Sequence, residues 1–341
     1  MKRMTRYILP LAAAWLLASC EHKELCYDHP HTTDVDVVFD WDYAPDAEKN
    51  NEVESMCLWF YPVDESGNRT GEPIYQSLKG MKGGKVNIPT GRYEVLYYNN
   101  DYERVQFRGI EAFLTHECYT RATSISEALS GVSGSDMPRA EGAENEPVVI
   151  TPDKMWGDNA RNVEITEDGL SYWFIRDGET EITTVENPDN IFRLMPHEQV
   201  CDYTFEIRNV ENLKYATRVS ASLSGMSGSV FFAEEELADE CVTLPFDATS
   251  DGVSTITGKF HTFGHHGGND ERHLLTVYAW MEDGNGYYGS VDVTDQVDKA
   301  RDKRNVHIVV DGFKLPKPIT NGGGFQPDVE EWKPVDVEID M

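Results

Sequence analysis

Along most of this chain apolar and polar residues alternate with a period of two. In the stretch TDVDVVFDWDY (33–43), Val35, Val37, Phe39 and Trp41 fall on one side, and Asp34, Asp36, Asp40 and Asp42 lie mostly on the other. A pleated strand sends successive side chains to opposite faces, so this pattern, rich in β-branched and aromatic residues, predicts a strand with one buried face. The runs SMCLWFYPV (55–63), GGKVNIPTGRYEVLYYNND (83–101), CDYTFEIRNV (201–210), VSTITGKFHTF (253–263), HLLTVYAWM (273–281), YYGSVDVT (287–294) and NVHIVVDGF (305–313) predict further strands. Shorter ones are expected at 147–150, 181–185 and 241–246, with a closing strand at PVDVEID (334–340). Helical period is confined to SISEALS (124–130) and DQVDKARD (295–302).

Turn-forming residues punctuate these runs. DESGNRTGEP (64–73), GMKGGK (80–85), the Pro89-Thr90-Gly91 step and DGNGYYG (283–289) have the composition of hairpin turns. Many short strands separated by such turns predict an all-β chain. The expected architecture is two tandem antiparallel β-sandwich domains of Greek-key, transthyretin- or immunoglobulin-like type, over residues 33–189 and 190–341. GVSGSDMPRAEGAENEP (131–147) reads as a polar surface excursion, and PKPITNGGG (316–324) as a crossover returning the chain to a sheet edge. TSISEALSGVSGS (123–135) and TRVSASLSGMSGS (217–229) echo one another, as an internal duplication or by chance recurrence of small-residue turns.

The first residues break the alternation. Lys2, Arg3 and Arg6 precede an apolar run from Ile8 to Ala18. That run is about half the ~20 residues needed to span a bilayer, so it reads as a signal peptide over residues 1–19. It ends in Leu17-Ala18-Ser19-Cys20, a branched apolar residue, two small ones and a cysteine, the pattern of a bacterial lipoprotein box. Cys20 is therefore the expected lipidation site, its thiol taking diacylglycerol before cleavage makes it the new N-terminus, with residues 20–32 as a polar tether. Each buried acyl methylene contributes roughly 0.8 kcal/mol, so diacylglyceryl and palmitoyl chains together hold a protein durably on a membrane. The expected location is the outer membrane, lipid-anchored and surface exposed.

Charge narrows the partners. With 60 acidic against 30 basic residues the formal net charge is -30. Such a surface repels phosphate backbones, which excludes nucleic acid as a natural ligand. Cys26, Cys57, Cys118, Cys201 and Cys241 show no metal-ligand spacing, and no disulfide is expected.

Catalytic motifs are lacking. Gly131 to Ser135 and Gly225 to Ser229 each place serine where a nucleophile elbow needs its last glycine. GMKGGK lacks the gap and hydroxyl of a phosphate loop, and DGNGYYG lacks the spaced oxygens of a calcium loop. His261, His265, His266 and His273, beside Asp270 and Glu271, form the densest histidine cluster, read as a flexible exposed loop rather than a metal site. Neither cofactor nor metal site is expected, and the chain reads as non-enzymatic. Trp59, Tyr97, Tyr98, Tyr287 and Tyr288 offer either packing or a sugar-stacking platform, so a glycan remains the alternative partner.

Three stretches carry a family resemblance. VNIPTGRYEVLYYNND, with Pro89, Gly91, Tyr93 and Asn99, together with ASLSGMSGSVFF and GGGFQPDVEEWKPVDVEID, resembles the fimbrillin-like lipoproteins of Bacteroidales, in particular those that anchor a fimbrium. The resemblance implies β-sandwich domains, cell adhesion, and fimbrial subunits as partners joined by strand complementation. It further implies that a shaft subunit loses its first strand to a protease whereas an anchor keeps lipid and N-terminus. Only the isolated Arg69 and Arg92 offer themselves for cleavage, so anchor is the expected role. The alternative is a surface glycan-binding lipoprotein of a polysaccharide-uptake system.

Overall fold

The computed structural model describes residues 31–130, 137–175, 182–266, 271–318 and 332–335. The first strand, Thr32–Phe39, lies in the middle of a three-stranded sheet, antiparallel to Gly83–Pro89 and parallel to Ile191–Leu194. Its alternation works as expected: Val35, Val37 and Phe39 are buried while Asp34 and Asp36 face outward. Opposite lies a seven-stranded sheet whose main path runs Ile182–Asn187, Leu170–Ile175, Trp156–Ile165, Gly91–Asn99, Ser55–Val63 and Ile74–Lys79. Met56, Leu58, Phe60, Val95, Val163 and Ile165 from this sheet share one core with the first strand. Trp41 closes one end, its indole N–H donating to the Met81 carbonyl at 2.6 Å.

A second pair of sheets follows. One orders Thr249–Ser250, Ile256–Thr262, Cys201–Glu211 and Asn305–Lys314; the other orders Cys241–Asp247, Ala216–Ser227, Leu274–Met281, Gly286–Asp292 and Trp332–Pro334. Tyr203, Phe205, Ile207, Leu223, Leu244, Val277 and Ile308 fill the core between them. Phe246 and Phe260 stack there at 3.8 Å. The all-β class holds, with short helices at Pro45–Asn50, Ile125–Ser130 and Thr294–Asp298.

The two halves are knit together more closely than the sequence indicated. A four-stranded sheet takes Val105–Arg108 and Glu117–Thr120 from one half and Ser229–Phe231 and Glu236–Leu237 from the other, with Val230 opposite Cys118. It covers the outer face of the seven-stranded sheet, where Cys57, Tyr61, Leu96 and Tyr98 pack with Val105, Val230, Phe232 and Phe263. His116 sits fully buried in this layer, its two ring nitrogens 2.5 Å from Tyr61 Oη and 3.0 Å from Tyr98 Oη.

Several expectations need correction. Strand Ile191–Leu194, beyond the anticipated division at residue 190, pairs with the first strand and so joins the N-terminal group. The stretch 131–147 is not a free excursion over its described part, since Met137, Ala140 and Ala143 are buried. Tyr278 Oη donates to the Pro138 carbonyl at 2.8 Å, and Glu146 Oε2 accepts from Gly225 N and Thr243 Oγ1. Residues 147–150 form isolated bridges, not a strand; Thr243 N donates to the Pro147 carbonyl and Val149 N to the Thr243 carbonyl. Over their described residues the echoed segments fold differently, one containing the helix Ile125–Ser130 and the other the strand Ala216–Ser227. The chain does return to a sheet edge, Trp332–Pro334 running parallel to Gly286–Asp292. The expected strand at 334–340 lies mostly outside the described residues.

Candidate functional site

Two kinds of site are on view: the edges of the sheets, and a polar cluster where the halves meet. Cys20 lies outside the described residues. The strand Thr32–Phe39, which follows the expected tether in sequence, has hydrogen-bonded neighbours on both sides. Gly83 makes that seat possible. It has φ +100°, and a Cβ there would lie 2.1 Å from the Val37 carbonyl oxygen, so only glycine lets the turn approach the strand. Arg92, one of the two possible cleavage points, sits within strand Gly91–Asn99 beside Glu164, while Arg69 is on the hairpin turn, paired with Glu72 at 2.7 Å.

Other edges are protected by the chain itself. Residues 147–149 hydrogen-bond along the outer side of Cys241–Asp247. On Asn305–Lys314, the Gln296 side chain imitates a neighbouring strand: its Nε2 donates to the Val309 carbonyl and its Oε1 accepts from Val309 N, both at 2.8 Å. Unpaired edge groups invite pairing with another chain, and such covers suppress it. Ile74–Lys79 is the end strand of the seven-stranded sheet and carries the exposed Tyr75.

The histidine-rich stretch departs from its expected form. His265 and His273 are buried, with ring centroids 5.2 Å apart, instead of riding an exposed loop tip. Tyr203 Oη lies 2.7 Å from His265 Nδ1. Burial, with help from neighbouring His273 and Lys303, pushes the His265 pKa down to about 4, so the ring is neutral at neutral pH. His261 points elsewhere, to Asp202 at 2.6 Å, and His266 donates to the Ala238 carbonyl.

Among the described residues, the ligating side chains whose donor atoms converge are Asp158, His197 and Glu235, all within 4.8 Å of one another. Asp158 comes from strand Trp156–Ile165, His197 from the connection between the halves, and Glu235 from the turn after Ser229–Phe231. His197 Nδ1 lies 3.6 Å from Asp158 Oδ2, and Nε2 lies 2.8 Å from Glu235 Oε1. Burial works against charge on His197, but hydrogen bonding and attraction from the two carboxylates outweigh it and raise its pKa to about 9. Burial raises the pKa of Asp158 despite His197. Beside the cluster opens a cavity of about 160 Å³ lined by Gln199, Cys201, Glu235, His265, Lys303 and Arg304. The sequence hid this cluster, because its members lie far apart along the chain and share no spacing.

The aromatic residues considered for sugar stacking are mostly packed. Tyr97 and Tyr98 are buried, and Trp59 lies against Tyr75 with centroids 4.9 Å apart. Cys57, Cys118, Cys201 and Cys241 are free thiols, the first three buried.

Comparison with known proteins fits this arrangement into a class. A candidate adhesin from Bacteroides ovatus, solved by crystallography, has a TM-score of 0.53 at 19% identity, covering 84% of this chain and 95% of its own, and so shares the fold. The fimbrial anchor protein Mfa2 from Porphyromonas gingivalis aligns with a TM-score of 0.47 at 13% identity, over 83% of this chain and 91% of that one. Residues 19–247 match the family described as a domain of unknown function, DUF5119, and the chain belongs to that family. A curated relative named as a candidate fimbrium anchoring subunit, Fim4B of Bacteroides ovatus, is 31% identical over 120 residues, or 35% of this chain. The match spans about a third of that relative, 33% of its length. The resemblance to fimbrial anchor proteins seen in the sequence thus has a named counterpart.

Proposed function

We propose that this protein is an outer-membrane-tethered subunit of a cell-surface fimbrium, serving adhesion as its anchor or as a minor subunit, without enzymatic activity. Cys20 carries the lipid, residues 1–19 are removed, and partner fimbrial subunits pair with it through β-strand complementation. The observation that carries this reading is the seat of Thr32–Phe39. The strand next to the lipid site is interior to its sheet and buries Val35, Val37 and Phe39. Losing it would strip main-chain bonds from two neighbours and open an apolar groove, so a chain that keeps it after assembly offers no such groove and stands as a fixed end. The relative named as an anchoring subunit supports the same role.

The test is chemical crosslinking on intact outer membranes, followed by pulldown and mass spectrometry. A ladder of adducts rising by one repeated β-subunit mass is expected for an anchor at the base of a polymer. Recovery of the protein alone, or with a polysaccharide-import porin, would contradict the reading and favour glycan capture.

A further inference from the structure

We propose that the edge strand Ile74–Lys79 is where a neighbouring fimbrial subunit docks, an extended segment of that partner adding to it as a new end strand. The inference rests on the fimbrial reading above and names the strand through which the partner pairs.

Ile74–Lys79 ends the seven-stranded sheet and bonds on one side only, to Ser55–Val63, in a register without a bulge. Gly80 N donates to the Glu54 carbonyl, which sets the alternation of this antiparallel ladder. Ile74, Gln76 and Leu78 therefore turn their main-chain groups to Ser55–Val63, and Tyr75, Ser77 and Lys79 turn theirs to the free side. Side chains alternate in step: Ile74 and Leu78 pack into the core, while Tyr75, Ser77 and Lys79 are exposed on the outer face. The chain treats its other long edges differently. Cys241–Asp247 is covered by residues 147–149, Asn305–Lys314 by Gln296, and Gly286–Asp292 by Trp332–Pro334. At the opposite end of the seven-stranded sheet, Ile182–Asn187 turns Val185 inward and exposes Glu186, and a charge within a strand blunts its edge. Gly83–Pro89 opens with two glycines and closes with proline, residues ill suited to strand pairing. Among the described residues, Ile74–Lys79 has no cover, no proline and no charge before its last position.

The exposed face specifies the occupant. Tyr75, 46% exposed, lies against Trp59 with ring centroids 4.9 Å apart. Asn100 Nδ2 donates to Tyr75 Oη and to Ser77 Oγ, both at 3.0 Å, so the phenol is held in place before any partner arrives. Aromatic anchors carry much of the energy of an interface, and one already ordered loses little entropy on binding. Lys79, four residues along the same face, has no carboxylate partner among the described residues, although the chain carries a formal net charge of -30. The matching segment is an extended strand with an apolar or aromatic side chain opposite Tyr75 and an acidic one opposite Lys79, its main chain bonding to Tyr75, Ser77 and Lys79.

The test reads the ladder of crosslinked adducts on intact outer membranes. Ser77→Pro removes a main-chain N–H that faces the free side and puts a ring in the path of an added strand, while sparing the bonds to Ser55–Val63. It should lower the yield of adducts at least tenfold, and Lys79→Glu should lower it several-fold. Circular dichroism of the purified variants establishes that each is folded. Without any loss of fold, p-benzoylphenylalanine in place of Ser77 should photocrosslink to the subunit that forms the ladder, identified by mass spectrometry. The same group in place of Val253, exposed in the second half, should not. A ladder undiminished in folded Ser77→Pro, or no photoadduct from position 77, would overturn the docking strand and leave the fimbrial reading standing. Absence of a ladder from the wild type would overturn both.

Discussion

Tyr93 Oη donates to the carbonyl of Pro89, 2.7 Å away, and so ties the strand Gly91–Asn99 back to the end of the strand before it. This contact gives the Pro-X-Gly-X-Tyr stretch a physical meaning. The proline ends one strand, and the phenol fixes the corner.

Replacing Tyr93 with phenylalanine keeps the buried ring, which meets Phe60 edge-on at 5.7 Å, and removes only the hydrogen bond. The expected loss is about 1 kcal/mol. Urea denaturation should show a lower midpoint with an unchanged slope.

At Gly83 any side chain meets the Val37 backbone, with a Cβ placed 2.1 Å from its carbonyl oxygen. Gly83→Ala should therefore destabilise by roughly 2–3 kcal/mol, at the high end for point mutants. Gly67, also at positive φ but with nothing near its Cβ position, provides the comparison. Gly67→Ala should cost about 1 kcal/mol, for backbone strain alone.

His116 makes acid stability measurable. Burial lowers its pKa from the ordinary 6.5 to about 4. The unfolded chain then takes up a proton before the folded one does, so stability is full above about pH 6.5 and falls as pH drops toward 4. The full loss is on the order of 3 kcal/mol. Denaturation at a series of pH values should show a shallower acid slope for His116→Gln than for the wild type. His265, also near 4, supplies a slope common to both proteins.

Glu117 binds the halves to one another. It takes a two-pronged bond from Arg108 and another from Ser229 of the opposite half, and its side chain is 8% exposed. Glu117→Ala leaves the Ser229 hydroxyl without this acceptor, at an expected cost of about 2 kcal/mol, kept below the value for a buried pair because Arg108 is half exposed. Hydrogen exchange should rise first in Ser229–Phe231, the strand that relies on this seam.

The fold class was legible because period-two alternation reports which face of a strand is buried. Val35, Val37 and Phe39 are inside as expected, and the turn at Asp283–Asn285 joins paired strands, whereas the stretch 80–85, expected as a hairpin turn, carries the chain from Ile74–Lys79 in one sheet to Gly83–Pro89 in another. The pattern carries no information on which strand sits beside which. The mixed sheet joining Cys118 to Val230 was therefore out of reach, as was the placement of Ile191–Leu194. Composition misled in the stretch 137–147, where scattered Met137, Ala140 and Ala143 make the contacts among polar residues. At His265 and His273, glycine neighbours signalled a loop while both rings were being packed inside. Asp158, His197 and Glu235 meet only through long-range folding.

The most direct test of the anchor reading is the N-terminal peptide of the mature protein, recovered from outer membranes and sequenced by mass spectrometry. The account predicts a chain beginning at acylated Cys20 and continuing unbroken through Thr32–Phe39 in surface-assembled material. A chain beginning after Arg69, or any form that lacks the first strand, would contradict it and mark the protein as a processed shaft subunit.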